Sequence, residues 1–129
     1  MPFVVNIDKN RGLVESRWEG LMTVDVMFAY VDQVWRDPAF RSYNELIDLR
    51  SVDDVEVPSD QLHEVAAYSR QYDNPDTTAR TAVIAPQGLV FGLSRMFSTV
   101  RSLETDDKRE FQVFIDFDEG RAWLDELSV

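Results

Sequence analysis

Residues 45–62, Glu45-Leu46-Ile47-Asp48-Leu49-Arg50-Ser51-Val52-Asp53-Asp54-Val55-Glu56-Val57-Pro58-Ser59-Asp60-Gln61-Leu62, decide how the chain is read. Leu46-Ile47-Asp48-Leu49 is short and apolar with little alternation, which predicts a strand buried on both faces. Asp48 to Asp60 is acidic and reads as a loop. Ser59 or Asp60 then opens a helix, with Ser59 well explained as its N-cap. That helix is expected to run to about Tyr72, with Leu62, Val65, Ala66, Ser69 and Tyr72 facing inward. A strand, a loop and a capped helix in this order form the junction at which α/β proteins place functional surfaces.

Upstream, Phe3-Val4-Val5-Asn6-Ile7-Asp8 alternates, with Phe3, Val5 and Ile7 on one face. A turn at Asp8–Gly12 leads into Leu13–Glu19, where Val14, Ser16 and Trp18 oppose Glu15, Arg17 and Glu19. This is an antiparallel hairpin with one wet face. Thr23 is placed to cap a helix reaching about Arg36, with Val24, Met27, Phe28, Val31, Val34 and Trp35 on one stripe. Asp37-Pro38 ends it, because the residue before proline avoids the α region.

Downstream, Asp73–Asp76 reads as a loop and Thr81–Ala85 as a strand stopped by Pro86. A helix is predicted from Leu89 to Leu103, its core stripe being Leu89, Leu93, Met96, Val100 and Leu103 with Phe97 on the flank. Phe91, Ser94, Arg95 and Ser98 then fall outward. Glu104–Glu110 is polar and reads as a loop, and Phe111–Ile115 as the last strand. Asp118 is expected to cap a closing helix, Glu119–Leu127, packed through Ala122, Trp123 and Leu127. The order is ββαβαβαβα. It predicts an α/β domain, residues 1–129, with a mostly parallel five-stranded sheet, an antiparallel N-terminal hairpin at its edge and four helices.

Composition is consistent with one globular domain: 129 residues, 44% hydrophobic and 12% aromatic, leave room for a core. No linker, repeat or low-complexity run divides it. No apolar run approaches the ~20 residues of a membrane span, and the N-terminus lacks the pattern of a signal peptide. With no cysteine there is neither a disulfide nor a thiol nucleophile, which suits a reducing cytoplasm, the expected location. Twenty-four acids against 13 bases give a formal charge of −11, which repels nucleic acid and anionic membrane surfaces.

Chemistry is thinly represented. His63 is the sole histidine and has no partner in the pattern, so it reads as a surface residue. Asp116, Asp118 and Glu119 have the donor chemistry for Mg²⁺, yet capping and the helix dipole explain them at about 1 kcal/mol. Gln87-Gly88-Leu89-Val90-Phe91-Gly92 opens a helix but lacks the spacing of a phosphate loop. No catalytic residue, metal site or cofactor is expected.

Asp48-Leu49-Arg50-Ser51-Val52-x-x-Val55 followed by Ser59-x-x-Leu62 resembles the strand–loop–helix of STAS domains, the SpoIIAA-like anti-sigma-factor antagonists of bacteria. Gly92-Leu93-Ser94-Arg95-Met96-Phe97 is similar to the Gly-x-x-Arg-Met-Phe helix of divergent, uncharacterised STAS-like relatives, some of which are compared with CRAL-TRIO lipid carriers. In the family a serine at the helix start is phosphorylated and switches binding to a kinase. Here Asp-Ser-Ser-Gly is absent: its nearest equivalents are Glu56 and Ser59, with a two-residue insertion and Pro58, and Asp53, Asp54, Glu56 and Asp60 would repel a phosphate on Ser59. The resemblance implies a non-catalytic, regulatory binding module acting through protein–protein contact and self-associating as a homodimer. The candidate contact residues are Asp48, Arg50, Ser51, Asp53, Asp54, Ser59, Phe91 and Arg95. The alternative is a small carrier of an apolar, lipid-like molecule lodged near Phe91, Phe97 and Trp123. A carboxylate- or metal-dependent hydrolase is the third reading.

Overall fold

Five strands form one sheet in the order β1-β2-β3-β4-β5: Phe3–Asp8, Leu13–Thr23, Asn44–Glu56, Arg80–Ile84 and Glu110–Phe114. The computed structural model describes residues 2–103 and 109–126. β1 and β2 pair antiparallel, and β2–β3, β3–β4 and β4–β5 pair parallel. The helices are α1 (Val24–Tyr30), α2 (Ser59–Ser69), α3 (Leu89–Leu103) and α4 (Phe117–Asp125). α1 continues through one π-helical turn, Val31–Trp35, and α2 through a 3₁₀ turn, Arg70–Tyr72. The expected order, parallel sheet, edge hairpin and four helices are all present.

Period-two alternation sorts the side chains onto two faces. Phe3, Val14, Trp18, Ile47, Leu49 and Val83 face the layer that holds Tyr30, Val34 and Val90 from the first and third helices and the π turn. Leu13, Leu46, Ala82 and Ile84 face the opposite way, where Leu124, Phe117 and Trp123 bring α4 against them. Three helices therefore crowd one face and α4 covers part of the other. Gly120 marks the tightest approach, since a Cβ there would lie 2.4 Å from Ile84 Cδ1.

β2 and β3 are longer than their local sequence suggests. Pairing with β1 reaches no further along β2 than Trp18, and pairing with β4 no further along β3 than Asp48, but β2 and β3 continue together from Glu19↔Ser51 to Thr23↔Glu56. The acidic stretch read as a loop is thus half of a two-stranded ribbon. Its half-buried Val52 and Val55 pack on the core while Asp53, Asp54 and Glu56 stay exposed. Two register shifts bend the ribbon, one of them at Gly20, whose φ of +71° few other residues adopt.

Several helix ends differ from expectation. Thr23 does cap α1, accepting from Val26 N at 3.2 Å. Ser59 is not a cap: it is the first helical residue, Pro58 precedes it, and no side chain caps that end. Asp116, not Asp118, caps α4, accepting from Glu119 N at 3.2 Å. Gly120 and Leu124 face inward there, whereas Ala122 is exposed and Leu127 lies outside the described residues. Glu110 belongs to β5 rather than to the preceding loop.

α3 spans the expected residues but is rotated. Its buried positions are Val90, Ser94 and Arg101, while Leu89, Met96 and Leu103 of the expected core stripe are 62%, 39% and 80% exposed. Ser94 is tolerated inside because its hydroxyl donates to Val90 O at 2.8 Å. Arg101 is tolerated because it pairs with Asp73 at 2.7 Å and lies over the rings of Trp35 and Phe111.

Candidate functional site

Asp48 and Arg50 point to the α4 face of β3, two residues apart on the same side of the strand. Arg50 holds Asp48 as a fork, Nε to Oδ1 at 3.0 Å and NH2 to Oδ2 at 2.9 Å, and the Arg50 backbone N–H adds a third bond to Oδ1. Burial pushes the Asp48 carboxyl up, but these bonds outweigh it and hold the group below the usual carboxylate range. The same pairing raises Arg50, assisted by Asp116 and Asp118. The guanidinium also stacks 4.5 Å from the Phe117 ring centroid.

Beyond α4 the sheet face is open. Val4, Asn6, Glu15, Arg17, Asp48, Arg50 and Phe117 line a shallow groove, with Glu15 tied to Arg121 at 2.9 Å. Here the wet hairpin face meets the strand that carries the expected contact residues.

The remaining candidates lie elsewhere. Ser51, Asp53 and Asp54 are on the ribbon, where Asp54 Oδ1 accepts from Val55 N, and Ser59 is exposed at the start of α2. Arg95 is exposed on α3, its guanidinium 5.9 Å from the Phe91 ring centroid. Phe91 is half-buried against the core and so is not the outward aromatic expected. The eight candidates therefore divide between the α4 face, the ribbon and the helix layer. The expected carrier pocket divides too, because Trp123 lies on the α4 face and Phe97 on the other.

Two features escaped the sequence reading. One is the exposed stripe of Leu89, Met96 and Leu103, whose seven-residue spacing is legible in the sequence but fits a core stripe equally well. The other is a polar network inside the helix layer. Buried Glu45 accepts from Tyr30 Oη at 2.5 Å, Trp35 Nε1 at 2.8 Å and Thr81 Oγ1 at 3.0 Å. Ser16 Oγ donates to Tyr30 and accepts from Trp18 Nε1, both at 3.2 Å, and Arg109 NH1 donates to Thr81 Oγ1 at 3.1 Å. Burial and then the neighbouring Glu45 charge hold the Tyr30 phenol well above its usual value, so it remains a neutral donor.

An apolar cavity of about 70 Å³ lies between sheet and helices, lined in part by Trp18, Met27, Leu62, Val65, Leu93 and Phe97. Among the described residues no three His, Asp or Glu side chains group as metal ligands, and no helix is long and apolar enough to cross a membrane. His63 is exposed.

These features define an α/β protein with a hairpin-edged parallel sheet and helices split three to one across it. The fold is SpoIIAA-like: the structure is similar to that of an uncharacterized DUF3478-family protein with a SpoIIAA-like fold from Shewanella loihica PV-4. The TM-score is 0.56 at 17% identity, over 95% of this chain and 93% of that one. No family model and no curated protein matches the sequence.

Proposed function

We propose that the chain is a non-catalytic binding module of STAS type that works through protein–protein contact, with the outward side of α3 as its docking surface and a second copy of the chain as its occupant. The observation that carries this reading is the exposed stripe of Leu89, Met96 and Leu103 on a helix with no acidic residue. Contiguous exposed apolar surface marks interfaces, whereas single exposed apolar residues are ordinary. The stripe is symmetric about Met96, with a leucine seven residues to either side. A two-fold axis at Met96 brings Leu89 of one copy onto Leu103 of the other, the self-complementarity that an isologous dimer needs. Gly92 and Thr99 keep the stripe narrow, and the chain's net charge of −11 resides on other elements.

Light scattering on the eluting protein tests this. The parent chain is expected at twice its monomer mass, and Met96→Asp at monomer mass with an unchanged circular dichroism spectrum. A monomeric parent, or a dimer indifferent to Met96→Asp and to Leu103→Asp, refutes the assignment. The alternative, a carrier of an apolar lipid-like ligand, is less well supported by the cavity. An engineered cavity of about 150 Å³ holds benzene, and the space here is about 70 Å³.

A further inference from the structure

At the end of the helix layer near the starts of β3 and β4, a second pocket gathers three arginines: Arg41, Arg101 and Arg109. Arg101 is 3% exposed, and one of its nitrogens, NH2, is held by Asp73 at 2.7 Å. Its Nε and NH1 are buried without any hydrogen-bond partner, and so is Nε of Arg41. Orphaned donors of this kind are uncommon, because a buried unsatisfied polar group costs about 1–3 kcal/mol and more when charged.

The polar groups of the pocket are unevenly satisfied. Glu45, the carboxylate in the lining, is saturated by Tyr30, Trp35 and Thr81. Arg109 reaches it through Thr81 and donates its NH2 to the carbonyls of Arg41 and Tyr43, each at 2.8 Å. Arg101 has Asp73. The Arg41 guanidinium donates to the Arg36 carbonyl and lies over the Tyr72 ring, with no carboxylate in ion-pair range among the described residues. The pocket thus sets the Arg41 guanidinium beside the orphaned donors of Arg101.

We propose that this pocket binds a small carboxylate, seated between Arg41 and Arg101. Its volume of about 40 Å³ corresponds to about three water-sized spheres, the bulk of one carboxylate group. An anion there supplies acceptors to the orphaned donors and a counter-charge to Arg41. Trp35 and Phe111 flank Arg101 and fix the guanidinium plane. The site stands apart from the α3 docking surface and does not depend on it.

Titration of the full chain with sodium acetate tests the proposal, by calorimetry and by amide chemical shifts, against sodium chloride at equal ionic strength. Acetate is expected to bind saturably at one site, shifting amides of Arg41, Tyr72 and Arg101, and chloride is not. Arg101→Lys keeps the charge but removes donors, and should weaken acetate at least about tenfold, the loss of one charge-assisted hydrogen bond. Arg41→Gln, at a half-buried position that leaves the Asp73 pair intact, should do the same if Arg101→Lys does not fold. Acetate binding no better than chloride, or affinity unchanged in the folded Arg41→Gln protein, overturns the proposal.

Discussion

Replacing Glu45 by methionine tests whether the buried carboxylate organises the helix layer or merely occupies it. Methionine has a similar volume and no acceptor, so Tyr30, Trp35 and Thr81 each lose a bond. Tyr30 has Ser16 at 3.2 Å as a substitute, which leaves the indole N–H and the threonine hydroxyl without acceptors. At about 1–3 kcal/mol per orphaned group the loss is about 2–6 kcal/mol. Releasing a carboxylate from burial returns part of that, so we expect a net cost of about 3 kcal/mol. With a urea slope of about 1.5 kcal/mol per molar, the unfolding midpoint falls by about 2 M at constant slope. Glu45→Gln retains one carbonyl for the Tyr30 and Trp35 donors and should cost about 1 kcal/mol. The triple variant Glu45→Met, Tyr30→Phe, Thr81→Val removes most donors together with the acceptor and should recover much of the loss. Urea unfolding followed by far-ultraviolet circular dichroism gives all three values. A Glu45→Met protein as stable as the parent, or a triple variant weaker than the single one, would refute the reasoning.

Asp48→Asn should destabilise at neutral pH by about 1 kcal/mol, a charge-assisted fork discounted because Arg50 is half exposed. The Asp48 pKa is depressed on folding, so this stability is present above the ordinary value of 3.8 and fades as pH falls through the folded value. Parent and variant midpoints, apart at pH 7, should therefore converge below pH 4. Thermal melts separate the two aspartates at the start of α4: Asp116→Ala should cost about 1 kcal/mol as a lost cap and Asp118→Ala a few tenths. Equal losses would reverse the cap assignment.

Local patterns carried much of the architecture. The alternation of Val14, Ser16 and Trp18 with Glu15, Arg17 and Glu19 placed the hairpin faces correctly, because one side is buried and the other wet. Leu46 and Leu49 read as buried on both faces and are, and Thr23 caps α1 as its spacing predicts. The contact surfaces were less legible. α3 is apolar almost all round, with Leu89, Val90, Phe91, Leu93, Met96, Phe97, Val100 and Leu103. Periodicity allows two inward stripes, and the choice turned on whether Ser94 and Arg101 could be satisfied inside. Val90 O and Asp73 satisfy them, so the helix turns Leu89, Met96 and Leu103 to solvent.

The sequence by itself determined the element order, the parallel sheet with its edge hairpin, and the apolar positions that build the two layers. Those properties follow from spacing and capping within a few residues, where the physics is local. Tertiary structure decided the extension of β3 to Glu56, which needs β2 as its partner across the ladder. It also decided the burial of Glu45, Arg101 and Arg41 Nε, since a polar group is tolerable inside only where distant residues, or a ligand, complete its hydrogen bonds. The junction at residues 45–62 thus keeps its place in the fold, but as a long paired strand, leading into α2, whose Glu45 organises the core.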